Sequence, residues 1–155
     1  MRKILAGGTF DNLHKGHRQF IRKAFDIAGD SGKVFLCLTS DEMVRKKPLS
    51  GKIQSYEKRK ENLISFLSSS GFQPDRYDII RIDDAFSEGI KPELTHIVVS
   101  PETRNNAEKI NGMRTRKGVK PLEIVCLEWV LGDDGEPVSD IRVRKGEMDS
   151  EGRVF

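Results

Sequence analysis

Short apolar runs alternate with longer amphipathic stretches along the whole chain. The apolar runs are continuous, as in strands that are buried on both faces, and they predict a sheet of parallel strands. Strands are expected at residues 3–6, 34–39, 77–82, 95–99 and 122–127. Helices are expected at 16–28, from a cap at Ser55 to about residue 69, and at 101–117, followed by a last short helix capped by Ser139 or Asp140.

This alternation predicts the fold class: an α/β, Rossmann-like doubly wound sheet of about five parallel strands with helices on both faces. Such sheets bind ligands at the carboxyl ends of their strands. The chain is short enough for a single domain over residues 1–155, with a flexible polar tail from about residue 147. Residues 40–54, which contain Pro48 and Gly51, are expected to be mostly loop.

The charge distribution favours a small-molecule site over a nucleic-acid partner. The formal net charge is +3, and acidic and basic residues are interspersed, which is typical of a mixed surface with at most a local phosphate site. No apolar run approaches the roughly 20 residues of a membrane span, and we expect no signal peptide and no membrane partner. Cys37 and Cys126 lie in apolar runs without metal-ligand spacing, which predicts buried free thiols, a cytoplasmic location and no structural metal.

The segment from Gly7 to His17 follows the first predicted strand and opens the first predicted helix. Its two leading glycines allow a ligand to approach the backbone, and the helix N-terminus offers free N–H groups to an anion. His14 and His17 are three residues apart, so one helical turn brings both rings to the same face. A tight turn and an incidental histidine pair would explain each part separately, but their combination favours phosphate binding. Walker-type and dinucleotide-binding glycine patterns are absent.

This segment resembles the Thr-x-x-x-x-His-x-Gly-His motif of the nucleotidylyltransferase superfamily. The resemblance implies that His14 and His17 bind the nucleotide phosphates and stabilise the transition state at the α-phosphorus. It implies that Gly16 allows close approach of the nucleotide. Together with the C-terminal motif below, the implied ATP-binding residues are Gly7, Gly8, Thr9, Phe10, His14, Gly16, His17, Ser139, Arg142 and Arg144.

Three cations and a proline, residues 45–48, follow the second predicted strand. Such a run is usually a solvated surface, although at this edge of the sheet it would also steer a phosphorylated acceptor. It is similar to a Lys-Lys-Pro segment of bacterial phosphopantetheine adenylyltransferases. That similarity implies that Lys46 contacts the acceptor phosphate and the reaction centre, and that Thr9 orients the acceptor. The candidate catalytic residues are therefore His14, His17, Lys46 and Thr9.

Two later segments resemble archaeal phosphopantetheine adenylyltransferases more closely. Residues 98–103, Val-Val-Ser-Pro-Glu-Thr, resemble a segment of that family after the fourth strand, although Ser100 alone reads as a helix cap. Residues 138–144 resemble the Ile-Ser-Ser-Thr-x-Ile-Arg motif, which implies contacts to the outer phosphates of ATP. Asp140 and Ile141 depart from that pattern, because they replace hydroxyl residues. We interpret Asp140 as a helix N-cap in preference to a metal ligand.

The resemblance implies the reaction of ATP with 4′-phosphopantetheine to give dephospho-coenzyme A and pyrophosphate, by direct in-line attack and with Mg²⁺ accompanying ATP. Two alternatives stay open. One is another nucleotidylyltransferase with glycerol phosphate, FMN or nicotinamide mononucleotide as acceptor. The other is a nucleotide-binding protein with weakened catalysis, which the departures at Asp140 and Ile141 suggest.

Overall fold

A computed structural model describes residues 1–155 and contains one sheet of five parallel strands, as predicted. The strand order is β3-β2-β1-β4-β5. The strands are β1 (Lys3–Gly8), β2 (Lys33–Thr39), β3 (Tyr77–Ile82), β4 (His96–Val99) and β5 (Glu123–Cys126). The chain builds outward from β1 to β3 and then returns to β4 on the other side of β1. The order therefore reverses between β1 and β4, where doubly wound sheets have their ligand crevice.

Helices cover both faces of the sheet, which confirms the predicted fold class. They are α1 (Lys15–Ala28), α2 (Asp41–Val44), α3 (Tyr56–Ser69), α4 (Arg104–Arg116) and α5 (Asp140–Arg144). Side chains of α1 and α3 share one buried cluster with Ile4, whereas α4 packs in a second cluster with Leu5. Successive β1 residues thus point to opposite faces, as the strand period requires. None of the helices is both long and apolar enough to cross a membrane.

Two of the helix predictions differ from the structure, and a third is confirmed. The segment expected to be mostly loop contains α2, because the Ser40 side chain accepts a hydrogen bond from the Met43 N–H and caps a helical turn. Helix α4 begins at Arg104 instead of Pro101, because the N–H groups of Thr103 and Arg104 both bond to the Ser100 carbonyl and form a turn first. The cap at Ser55 is confirmed, with its hydroxyl 3.2 Å from the Lys58 nitrogen.

Residues 147–155, where a flexible tail is predicted, fold back onto the domain. Met148 is buried and forms a bridge with Val154. The Lys15 N–H donates to the Ser150 carbonyl at 2.7 Å, and Arg18 forms a 2.6 Å ion pair with Glu151. The tail is mostly polar, and its composition alone does not indicate that Met148 is buried. The tail therefore fixes the first turn of α1, which carries the two candidate histidines.

Candidate active site

Two adjoining cavities open at the carboxyl edge of the sheet, beside the point where the strand order reverses. We call the one that contains His14, His17 and Asp140 the histidine cavity. The other, which we call the apolar cavity, extends over β1 and β4 towards α4, and half of its lining residues are hydrophobic. The two share a wall of five residues: Gly7, Gly8, Thr9, Lys47 and Thr103. Two ligands bound in these cavities would meet at this wall.

The two histidines hold each other in place through the backbone of α1. The His17 N–H donates to Nδ1 of His14 at 3.3 Å, and the His14 N–H donates to Nδ1 of His17 at 3.2 Å. The rings stack with their centroids 3.6 Å apart. Because each Nδ1 accepts a backbone hydrogen bond, each neutral ring carries its proton on Nε2.

Both Nε2–H groups point into the histidine cavity and converge on one oxygen. Nε2 of His14 and Nε2 of His17 lie 2.7 and 3.0 Å from Oδ1 of Asp140. Burial lowers the pKa of His17, although its hydrogen bond to Asp140 and the charge of that carboxylate act in the opposite direction. The pair therefore provides two preorganised N–H donors for a negatively charged oxygen.

The same geometry argues against a metal at the histidine pair. His14, His17 and Asp140 place one potential ligand atom each within 4.8 Å of one another. A metal-bound imidazole normally donates its other ring N–H to an acceptor. Here both Nδ1 atoms face backbone donors instead, so both Nε2 atoms retain their protons and have no free lone pair. The arrangement fits an anion and does not fit a transition metal.

The loop between β1 and α1 is strained. Phe10, Asn12 and Leu13 have φ angles of 51°, 58° and 37°, which are rare for residues other than glycine. The fully buried Asp11 accepts a hydrogen bond from the Gln54 N–H at 3.0 Å, and Gln54 in turn accepts one from the Asn12 N–H at 3.1 Å. These bonds hold the loop, and the Phe10 ring then contacts the edge of His17. Sequence reasoning missed Asp11 and Gln54, which lie in segments that carry no repeating pattern.

Gly16 has a packing role beyond the predicted approach of the nucleotide. A Cβ atom at this position would lie 3.0 Å from Cε1 of His14, closer than ordinary side-chain contacts allow. The residue therefore leaves room for the stacked histidine rings.

Thr9 lies at the shared wall, and its hydroxyl oxygen accepts hydrogen bonds from two donors. Nζ of Lys47 donates to Oγ1 of Thr9 at 2.6 Å, and the Thr39 hydroxyl donates to the same oxygen at 3.0 Å. Since this oxygen accepts twice, the Thr9 hydroxyl proton is available for a ligand. Burial lowers the pKa of Lys47, and the neighbouring Asp140 charge partly opposes that shift.

Lys47, and not the predicted Lys46, lies at the shared wall. Lys46 is exposed and lines neither cavity. The reason lies in α2, whose last turn is extended by a 2.9 Å hydrogen bond from the Lys47 N–H to the Val44 carbonyl. This turn directs the second lysine of the pair, not the first, towards Thr9.

Arg59, which was not predicted from the sequence, holds together the backbone segments that carry Thr9, Thr39 and Gln54. It is fully buried, and its Nη1 donates to the carbonyls of Thr9 and Thr39 at 3.1 and 2.8 Å. Its Nε donates to the Gln54 carbonyl at 2.9 Å. In the sequence this residue lies among charged neighbours, residues 57–61, and so resembles an exposed side chain. The available signal is spacing, since Arg59 precedes the buried Leu63 by one helical turn.

Of the predicted ATP-binding residues, all but Arg142 and Arg144 line the histidine cavity. Arg142 lies outside this cavity, in a shallower pocket that borders it at Glu102, Trp129 and Ser139, and it pairs with Asp134 at 2.6 Å and with Glu147 at 3.2 Å. It follows Asp140 by two positions, about 200° around the helix, and so faces the opposite side. Arg144 is buried one turn behind Asp140, with its Nη2 at 3.5 Å from Oδ2 of that residue.

Asp140 is not the cap of α5. The Ser139 hydroxyl accepts a hydrogen bond from the Arg142 N–H and caps the helix, while Asp140 is its first residue. Its carboxylate contacts the histidine pair instead. The loop after β5 adds Trp129 to the cavity wall. Trp129 was not predicted. It is the only tryptophan of the chain and follows the last predicted strand, and this position at the carboxyl edge of the sheet is the sequence signal that could have indicated it.

A doubly wound parallel sheet with two imidazole donors at the first helix defines a nucleotidylyltransferase-type α/β protein. Residues 5–145 match the family model described as cytidylyltransferase-like. The chain is 46% identical over 154 residues to a Methanosarcina mazei protein named phosphopantetheine adenylyltransferase, covering 99% of this chain and 97% of that protein. A Thermococcus kodakarensis protein of the same name is 43% identical over 155 residues, with 98% and 90% covered. The chain belongs to the phosphopantetheine adenylyltransferase family of cytidylyltransferase-like proteins.

Solved structures agree on the fold. A protein of unknown function from Archaeoglobus fulgidus is 29% identical, with a TM-score of 0.72 over 81% of this chain and 88% of that one. A tyrosyl-tRNA synthetase from the same organism reaches a TM-score of 0.67 over 92% of this chain and 59% of that one, at 12% identity. The latter likeness concerns the fold alone.

Proposed function

We propose that the protein transfers the adenylyl group of ATP to 4′-phosphopantetheine, giving dephospho-coenzyme A and pyrophosphate. The observation that carries this proposal is the shared wall. It places Thr9 and Lys47 between a cavity with paired anion donors and a cavity with an apolar lining. Family membership supports the choice of substrates.

The two cavities suit the two substrates. The histidine cavity, at the N-terminus of α1, offers the two imidazole N–H groups and the positive end of the helix dipole to the triphosphate. The apolar cavity suits the extended, largely apolar arm of phosphopantetheine, whose phosphate would then lie at the shared wall. The apolar residues on this side include Leu5, Cys37, Ile97, Val99, Ala107 and Ile110.

The reaction then needs no covalent enzyme intermediate. A phosphate oxygen of the acceptor attacks the α-phosphorus of ATP, a new P–O bond forms, and the bond to the pyrophosphate oxygen breaks. Lys47 and the Thr9 hydroxyl hold the attacking phosphate. His14 and His17 donate hydrogen bonds to the oxygens that gain charge in the transition state. The attacking phosphate carries its own negative charge, so the residues act by positioning and by charge stabilisation.

Magnesium is expected to accompany ATP. It prefers oxygen ligands and keeps several waters, so the phosphates supply most of its coordination. Besides Asp140, which the histidines hold, the carboxylates that line the histidine cavity are Glu102 and Glu128. When bound, the ion would neutralise charge on the triphosphate.

A substrate panel tests the proposal. Pyrophosphate release is measured with ATP or CTP against 4′-phosphopantetheine, glycerol 3-phosphate, FMN and nicotinamide mononucleotide. ATP with 4′-phosphopantetheine should give the highest kcat/KM. A clear preference for another pair would mean a different nucleotidylyltransferase, and binding of ATP without turnover on any acceptor would favour a nucleotide-binding role.

A His17→Ala variant, purified in parallel, serves as the control for contaminating activity. It removes one of the two converging donors, and loss of one such donor lowers kcat by about 100-fold or more. Pyrophosphate release that survives undiminished in this variant would not come from the described site.

A further inference from the structure

The carboxylate of Asp140 occupies the point at which the two histidine donors converge. Its Oδ1 accepts from Nε2 of His14 at 2.7 Å and from Nε2 of His17 at 3.0 Å. One anionic oxygen with two N–H donors is the arrangement that a phosphate oxygen would adopt at the same place. The chain thus supplies its own anion to the histidine pair.

This carboxylate is charged at neutral pH. Burial alone would raise the pKa of Asp140, but the hydrogen bonds from His14 and His17 outweigh it and hold the pKa well below its usual range. An ATP phosphate oxygen is also negative, and two anions cannot share the same donors at hydrogen-bond distance. Nucleotide binding therefore requires the carboxylate to move.

Arg144 offers the carboxylate a second position. Its side chain is buried, and Nη2 already lies 3.5 Å from Oδ2 of Asp140. Its Nη1 is buried without any hydrogen-bond partner, which is rare and costly for a guanidinium. A carboxylate that turned from the histidines towards Arg144 would complete this ion pair.

We propose that Asp140 is a resident anion of the histidine pair, and that the phosphates of ATP bind by displacing its carboxylate towards Arg144. This inference rests on the proposed function. Asp140 is then a positioning residue that keeps the donors converged in the free protein and competes with phosphate for them. Its return to the histidines would favour the release of pyrophosphate.

The test compares an Asp140→Ser variant with the wild-type protein. Calorimetric titrations use ATP, pyrophosphate and adenosine, each with and without Mg²⁺. Without the competing carboxylate, ATP and pyrophosphate should bind about tenfold more tightly, since the phosphate no longer has to break the hydrogen bonds between the histidines and Asp140. Adenosine has no phosphate and should bind both proteins equally.

An Asp78→Ser variant is the matched control. It makes the same change in charge, but Asp78, on the edge strand β3, pairs with Lys33 and lines neither cavity. Its ATP affinity should equal that of the wild type.

Equal or weaker binding of ATP by Asp140→Ser would overturn the inference while the proposed function stood. Weaker binding only in the presence of Mg²⁺ would identify the carboxylate as a metal ligand and would also overturn it. Failure of all three proteins to bind ATP would contradict the proposed function as well. An Asp140→Asn variant, which keeps the shape of the side chain, should reproduce the gain if charge is the cause.

Discussion

The neighbouring residues Lys46 and Lys47 provide an internal comparison for the shared wall. Nζ of Lys47 lies 2.6 Å from Oγ1 of Thr9, whereas Lys46 is exposed and lines neither cavity. Lys47→Ala removes the only lysine that lines both cavities. Lys46→Ala makes the same chemical change one residue away and serves as its control.

The size of the effect follows from the position of Lys47. A hydrogen bond to a charged group contributes about 1.5–3 kcal/mol, and loss of one preorganised transition-state donor lowers kcat by about 100- to 1,000-fold. Lys47 is partly buried, so water screens its charge only in part. We therefore expect kcat of Lys47→Ala to fall by about 100-fold. Exposed substitutions usually change free energies by no more than about 0.5 kcal/mol, so Lys46→Ala should lose about twofold at most.

Stability should not explain this loss. Because burial lowers the pKa of Lys47 below 10.5, the folded protein binds this proton less tightly than the unfolded chain does. The charged lysine therefore lowers the free energy of unfolding at neutral pH, and the penalty disappears as pH rises from the folded pKa towards 10.5. The melting temperature of Lys47→Ala at neutral pH should be no lower than that of the wild type.

The assay is steady-state pyrophosphate release with ATP and 4′-phosphopantetheine, from which kcat and both KM values are obtained for each variant. An equal loss of kcat in Lys46→Ala and Lys47→Ala would contradict the assigned role of Lys47. Full turnover in a folded Lys47→Ala protein would be equally contrary to it.

Three further predictions concern buried polar groups. Arg59→Lys keeps the charge but cannot reach the carbonyls of Thr9 and Thr39 together, so urea unfolding should show a loss of about 2 kcal/mol or more, and kcat should fall. Asp140→Asn should lower the free energy of unfolding above pH 3.8, and the difference from the wild type should shrink at lower pH. The reason is that the pKa of Asp140 is lowered in the folded protein, so the stability that its carboxylate contributes is lost as pH falls. Urea unfolding at about pH 4.5 and pH 3 measures the difference, and an equal loss at both pH values would contradict the prediction. Burial raises the pKa of the Cys37 thiol to about 12, so iodoacetamide should modify Cys37 much more slowly in the folded protein than in urea, as peptide mass spectrometry would show; equal rates would contradict the burial.

Most of the fold was accessible from the pattern of apolar residues. The strand at Tyr77–Ile82 was predicted with the bounds that the structure shows, because both of its ends coincide with clear changes in polarity. The helix starts were less secure. Pro101 is compatible with a first helical turn, but the Ser100 carbonyl accepts from two successive N–H groups and forms a separate turn before α4. Such local competition between hydrogen bonds leaves no mark in the hydrophobic pattern.

The candidate site was predictable where it depends on contiguous residues. His14 and His17 belong to one helical turn, and their spacing predicted that they would share a face. The contact between His17 and Asp140 joins residues far apart in the chain, and no sequence spacing encodes it. Which of the two lysines, Lys46 or Lys47, reaches Thr9 depends on the hydrogen-bonded turn that follows α2. Both features depend on side-chain direction, which the tertiary structure determines.

The identity of the products is the most direct test of the proposed reaction. The purified protein is incubated with ATP, Mg²⁺ and 4′-phosphopantetheine, and dephospho-coenzyme A and pyrophosphate are quantified together by mass spectrometry and a coupled assay. We expect both products to form in equal amounts and the His17→Ala variant to form them at about one hundredth of the rate or less. Pyrophosphate without dephospho-coenzyme A, or ATP binding with neither product, would contradict it.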